Sequence, residues 1–158
     1  MRLVSILAPA LVAVMPLAAH AEGLAVAEPT LIVAPVGQQG AILLRLENEG
    51  PDDDRLIGAE AGDLATGITL HTHVMDADGT KRMVTAEDGI ALPAGTVHVL
   101  GRADDHALGH DGDHAMFIQL ARIPTPGEEI PLTLIFESGA EVTVQVPVEG
   151  HPTAGGAG

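Results

Sequence analysis

Val142, Val144, Val146 and Val148 alternate with Thr143, Gln145 and Pro147 near the end of the chain. A strict period of two suits only an extended strand with one apolar and one wet face. Comparable segments recur upstream at Ala41 to Glu47, Arg55 to Ala59, Ile68 to Met75, Lys81 to Thr85, Thr96 to Leu100, Ala115 to Ala121 and Leu132 to Glu137. No window of twelve or more residues carries a clean helical stripe. Turn signals punctuate these segments: Asn48-Glu49-Gly50-Pro51, Asp76 to Gly79, Pro93-Ala94-Gly95, Pro124 to Gly127 and Ser138-Gly139. Strands at this spacing predict an all-β chain folded as a single Greek-key β-sandwich or small barrel. Phe117 and Phe136 are the only aromatic residues, so the core must be aliphatic.

The first residues set the expected compartment. Met1-Arg2 is followed by an almost wholly apolar run from Leu3 to Leu17 and by Ala19-His20-Ala21, a small-x-small cleavage site. Residues 1–21 thus read as a secretory signal peptide, residues 22–150 as the folded domain, and the Gly-rich residues 151–158 as a flexible tail. The expected location is the periplasm, with no membrane insertion after cleavage. A lipid anchor is not expected either, because the chain has no cysteine. The formal net charge of −15 disfavours nucleic acid and anionic membrane as partners. It equally serves to keep an exported protein soluble.

Eight His and five Met stand against no Cys, Trp or Tyr. Imidazole and thioether together suit copper, and soft sulfur favours the reduced ion, Cu(I). Within Ile68 to Met75, residues Thr69, His71, His73 and Met75 share one strand face. Alternate residues lie roughly 6.6 Å apart, so His71 and His73 either bracket an ion or only one of them reaches it. A lone strand histidine is ordinarily a surface or hydrogen-bonded residue. The pair His114 and Met116 repeats the i, i+2 spacing on a later segment and strengthens the metal reading. Met83 adds a thioether whose ordinary role is filling a core gap.

These residues and spacings resemble the periplasmic copper chaperones of the PCuAC family, whose signature is His, one position often Met, ten residues, Met, about twenty-one residues, and His-x-Met. His71, Thr72, ten residues and Met83 fit the first half, and His114-Ala115-Met116 fits the second. Companion features are Asn48-Glu49-Gly50 followed by Asp54-Arg55-Leu56, then Leu92-Pro93-Ala94-Gly95, and the closing segment Pro131 to Phe136. The similarity spans Gly40 to Val148. It departs from the family pattern at Thr72, which removes a potential soft donor, and in the thirty residues between Met83 and His114. The excess falls in Gly101 to Asp113, which carries His106, His110 and four Asp. Only His114 is followed by x-Met, which keeps it as the family ligand.

The resemblance implies a cupredoxin-like sandwich that binds Cu(I) through His71, Met83, His114 and Met116. It also implies transfer to a copper acceptor such as an Sco-type thiol protein or the CuA subunit of cytochrome c oxidase. His73, Met75, His98, His106 and His110 are secondary candidates, and imidazole with carboxylate in the long insertion would suit Cu(II) or Zn(II). The ordinary reading of the insertion is a plain surface loop, with Asp and Gly as turn formers and solvated histidines. Three other readings compete: a Cu(II)/Zn(II) buffer built on that insertion, a copper-zinc superoxide dismutase-like enzyme prompted by His71-Thr72-His73, and a metal-free interaction sandwich, which the clustered donors disfavour. The absence of Cys leaves the enzyme reading without its expected disulfide. No nucleophile triad or phosphate-cradling Gly motif is present, so the chain reads as a non-enzyme.

Overall fold

Every regular element of the chain is a strand, among the residues that the computed structural model describes: 19–21, 23–33, 39–101 and 112–150. They are β1 (Ala19–Ala21), β2 (Leu24–Val33), β3 (Gly40–Asn48), β4 (Asp54–Glu60), β5 (Ala65–Met75), β6 (Lys81–Thr85), β7 (Ile90–Leu92), β8 (Thr96–Leu100), β9 (His114–Leu120), β10 (Glu129–Phe136) and β11 (Glu141–Gly150). All eight expected strands are present. β2 and β7 are additions, as is the short β1, which pairs with Leu24–Val26 and belongs to the segment expected to be removed. The rest of that leader and the tail 151–158 lie outside the described residues.

The strands follow one hydrogen-bonded path, β6-β5-β9-β3-β2-β11-β10-β4-β7, with β1 added on β2 and β8 on β3. The path doubles back on itself at β11, whose first part pairs antiparallel with β10 and whose end, Val148–Gly150, runs parallel to Leu31–Val33 of β2. Two layers result, a sandwich with a cupredoxin-like arrangement. Burial alternates along the strands as the sequence period requires, with Val142, Val144, Val146 and Val148 inward and Thr143, Gln145 and Pro147 outward. The core is aliphatic apart from Phe117 and Phe136, both at 1% exposure.

β2 is interrupted where its register against β3 shifts between Ala27 and Thr30. Glu28 there takes a positive φ of 51°, and Pro29 has no N–H to donate. This is a β-bulge: one strand gains a residue, and the inward–outward alternation breaks. That break hides β2 from a reading based on period alone.

Among the described residues Asn48 is more deeply buried than the other buried polar side chain, His114, at 3% exposure against 9%. Its amide nitrogen donates to the carbonyls of Asp52 and Leu92, each at 2.9 Å, and its amide oxygen accepts from the Gly50 N–H at 3.0 Å. Nearby, Asp53 accepts from the Ala94 N–H at 2.8 Å, and Asp54 accepts from the Ser138 hydroxyl at 2.7 Å. The companion motifs thus tie the β3–β4 turn to β7 and to the β10–β11 hairpin. They act as scaffold.

At the opposite side of β3, the Gly101 N–H donates to the Asp113 carbonyl at 2.8 Å, closing the neck of the long insertion. Gly101 has φ +74°, and a Cβ there would collide with the Leu43 side chain. Replacing Asn48 by Ala removes the donor from two inward carbonyls and should lower stability by about 1–3 kcal/mol. Urea unfolding followed by circular dichroism reads that loss, with a folded β spectrum retained before the transition.

Candidate metal centre

The centre is built on the outer face of β6-β5-β9, because residues directly opposite across a pair of strands point to the same side. His71 of β5 faces His114 of β9, while their neighbours Leu70 and Ala115 face each other on the core side. Thr69 lies opposite Met116 and His73 lies opposite Met83, so both methionines sit diagonally from His71, one on either flank. Diagonal neighbours are roughly 7–8 Å apart, within reach of side chains as long as Met. One sheet face therefore carries His71, Met83, His114 and Met116 around a single central imidazole.

The two principal rings are close and nearly parallel, with centroids 5.3 Å apart and an interplanar angle of 23°. With metal–nitrogen bonds of about 2.0 Å, two imidazoles on one tetrahedral ion have centres roughly 5 Å apart. The pair thus has the spacing of shared ligands.

His114 is at 9% exposure, and its Nδ1 lies 3.0 Å from the Gly112 carbonyl oxygen. A carbonyl can only accept, so Nδ1 carries the proton and Nε2 keeps its lone pair for a metal. Met83 is 47% exposed and Met116 is half-buried, so the thioethers are reachable from solvent. Among the described residues no three His, Cys, Asp or Glu side chains enclose an ion as they stand, and Met83 and Met116 are the thioethers at hand beside the ring pair.

His71 has a pKa held below the ordinary imidazole value. Burial is the main cause, followed by repulsion from His114, with a backbone hydrogen bond to Val84 opposing and His73 adding to the depression. The effect keeps His71 neutral, the form that ligates.

The other candidates separate. His73 and Met75 lie on the same face as His71, with Met75 at 66% exposure. His98 of β8 stands opposite Leu46 of β3 and so lies on the core side of the sheet, away from the ring pair. Its Nε2 is 3.0 Å from Asp113 Oδ2, off the line of a good hydrogen bond. His98 is the main reason that the Asp113 carboxyl titrates lower than usual, with a Thr72 hydrogen bond contributing.

Thr72 therefore faces away from His71. The missing methionine at that position removes no donor from the ring-bearing face. His106 and His110 lie outside the described residues. Asp113 and Gly112 hold the start of β9; sequence reasoning counted Asp113 only as one of the four Asp of the insertion, and it did not foresee the support that either gives to His114 and Thr72.

Because the folded chain holds the His71 pKa below its unfolded value, the unfolded state takes up the proton first as acid is added. The stability tied to neutral His71 is present above about pH 6.5 and is lost as pH falls through the lower folded value. Tm of the metal-free protein should thus drop on acidification below pH 6.5, and more steeply than Tm of His71→Gln. An NMR titration should place the His71 midpoint below 6.5.

The chain matches the LpqE-like family over residues 22–148. That family is described as lipoproteins, whereas these 158 residues contain no cysteine to carry a lipid. No curated protein sequence matches significantly. Among solved structures, the copper-bound PCuAC domain from PmoF2 superposes with a TM-score of 0.63 at 20% identity, covering 85% of this chain and all of that one. The apo PCuAC domain from PmoF1 gives 0.62 at 16% identity, covering 84% and 99%. The solution structure of CuI-DR1885 from Deinococcus radiodurans gives 0.58 at 25% identity, covering 86% of this chain and 81% of that one. With the family matched across nearly all of the sandwich and the His and Met pairs of its signature on one face, the chain belongs to the LpqE-like family, among the PCuAC copper chaperones.

Proposed function

We propose that this protein is an exported Cu(I) carrier that holds the ion through His71, Met83, His114 and Met116 and releases it to a cysteine-bearing acceptor. The observation that carries the reading is the His71–His114 pair, 5.3 Å apart and flanked by two diagonal methionines on an accessible face. Two neutral imidazoles and two thioethers satisfy a d10 ion without a thiolate that an oxidising compartment would convert to disulfide. A neutral and exposed donor set also favours exchange. A thiolate acceptor, being anionic and softer, draws the ion away.

Two structural relatives, the copper-bound PCuAC domain from PmoF2 and the Cu(I) form of DR1885, support the choice of ion. The acceptor we propose is an Sco-type thiol protein or the CuA subunit of cytochrome c oxidase. Export rests on the leader-like residues 1–21. No helix among the described residues is long and apolar enough to cross a membrane.

X-ray absorption of the Cu(I)-loaded protein should show both nitrogen and sulfur around copper, and a shell of nitrogen and oxygen alone would overturn the reading. Replacing Met83 and Met116 by Leu should weaken Cu(I) at least about tenfold more than Cu(II), as the softness of the donors requires. Equal losses contradict a soft site. Affinity for Cu(I) should fall between pH 7.5 and pH 5 as the imidazoles protonate, and a flat profile would argue against histidine ligation.

A further inference from the structure

His73 is left over by the four-residue Cu(I) set, yet it stands inside the same constellation. It shares the outer face of β5 with His71 and lies directly opposite Met83. Its ring centre is 5.8 Å from that of His114, with the planes at 38°. Its Nδ1 is shielded from solvent and has no hydrogen-bond partner. A shielded polar atom without a partner costs free energy and calls for an explanation, which an incoming ion supplies.

The spacing is informative in the same way as for the principal pair. Two imidazoles that share one ion at angles between tetrahedral and somewhat wider than trigonal have centres roughly 5–6 Å apart, given metal–nitrogen bonds near 2.0 Å. His114 therefore stands at ligand-sharing distance from both His71 and His73. His71 lies directly opposite His114 and His73, two residues further along the same strand, lies diagonal to it, so both imidazoles flank the space beside the His114 ring. As they stand, the three rings do not enclose an ion. Half-buried His73 on the outer face has room to turn about its side-chain torsions.

We infer that His73 is the third imidazole of a Cu(II)-binding mode at this centre, in which His71, His73 and His114 hold the oxidised ion and the thioethers withdraw. Borderline Cu(II) prefers imidazole nitrogen, whereas Cu(I) accepts thioether, so a single face can serve either oxidation state by exchanging Met for His73. His71 and His114 are common to both modes. No electron transfer is part of this inference: it concerns which donors each ion selects. It rests on the proposed Cu(I) site only in sharing those two histidines.

The test titrates the full domain and its His73→Ala and His73→Gln variants with Cu(II) and, separately, with Cu(I) against chelators of known affinity. Pulsed electron paramagnetic resonance of the Cu(II) forms counts coordinated imidazoles. The expected result is three imidazoles in the unmodified protein and two in either variant. Cu(II) affinity should be lowered at least tenfold, with Cu(I) affinity kept within about threefold. Using Gln beside Ala keeps the test valid if one variant folds poorly. Two imidazoles in the unmodified protein, or equal losses for the two ions, would overturn the inference. A His71→Ala variant separates the two claims: undiminished Cu(I) binding there sinks the carrier site itself, whereas an unchanged Cu(II) signal in the His73 variants sinks only the third ligand.

Discussion

The register between β5 and β9 is the constraint on which the rest depends. Leu70 meets Ala115 and Ile68 meets Phe117 across this pair, and Leu70, Ala115 and Phe117 are buried in the sandwich. The same alignment sets His71 against His114 and Thr69 against Met116 on the other side. A slip of one residue would turn Leu70 outward and drive an imidazole into an aliphatic interior, at a cost of desolvating a polar ring and exposing a large side chain. Hydrophobic burial in one layer thus fixes donor placement on its reverse. The centre needs no dedicated loop to bring its imidazoles together.

Much of this was legible in the sequence because period two carries both messages at once. The parity of Ile68 to Met75 separates donors from core residues before any partner strand is known, and the structure keeps that separation. Parity alone does not say which strands become neighbours. That His71 faces His114, and that Met83 approaches from the other flank, follows from the sheet order β6-β5-β9. β2 escaped notice because Glu28 and Pro29 place a bulge in its middle.

His98 shows the limit in another form. Its residue type made it a ligand candidate, but its alignment with Leu46 puts it on the inner side, where it steadies Asp113. Thr72 reverses the case. A departure from the family pattern looked like a lost donor, and strand parity makes it a hydroxyl that touches Asp113 on the face away from the rings. The companion motifs likewise proved architectural: Asn48 and Asp54 spend their hydrogen bonds on fastening turns to neighbouring strands, and Asp53 beside them accepts from the Ala94 N–H. For His98 and Thr72 residue type suggested chemistry, and facing direction places both away from the ring pair.

The bond from the Gly101 N–H to the Asp113 carbonyl gives the fold a further property. It joins the two ends of the inserted segment at a single point on the sandwich, with glycine required there by the close approach of Leu43. Whatever number of residues lies between these ends, β9 begins at the same place and presents His114 at the same register. Segment length is thereby uncoupled from ligand placement, and closing a longer excursion costs only a slowly growing entropy. A stretch of another length or composition could therefore stand here, provided the knot at its base is kept.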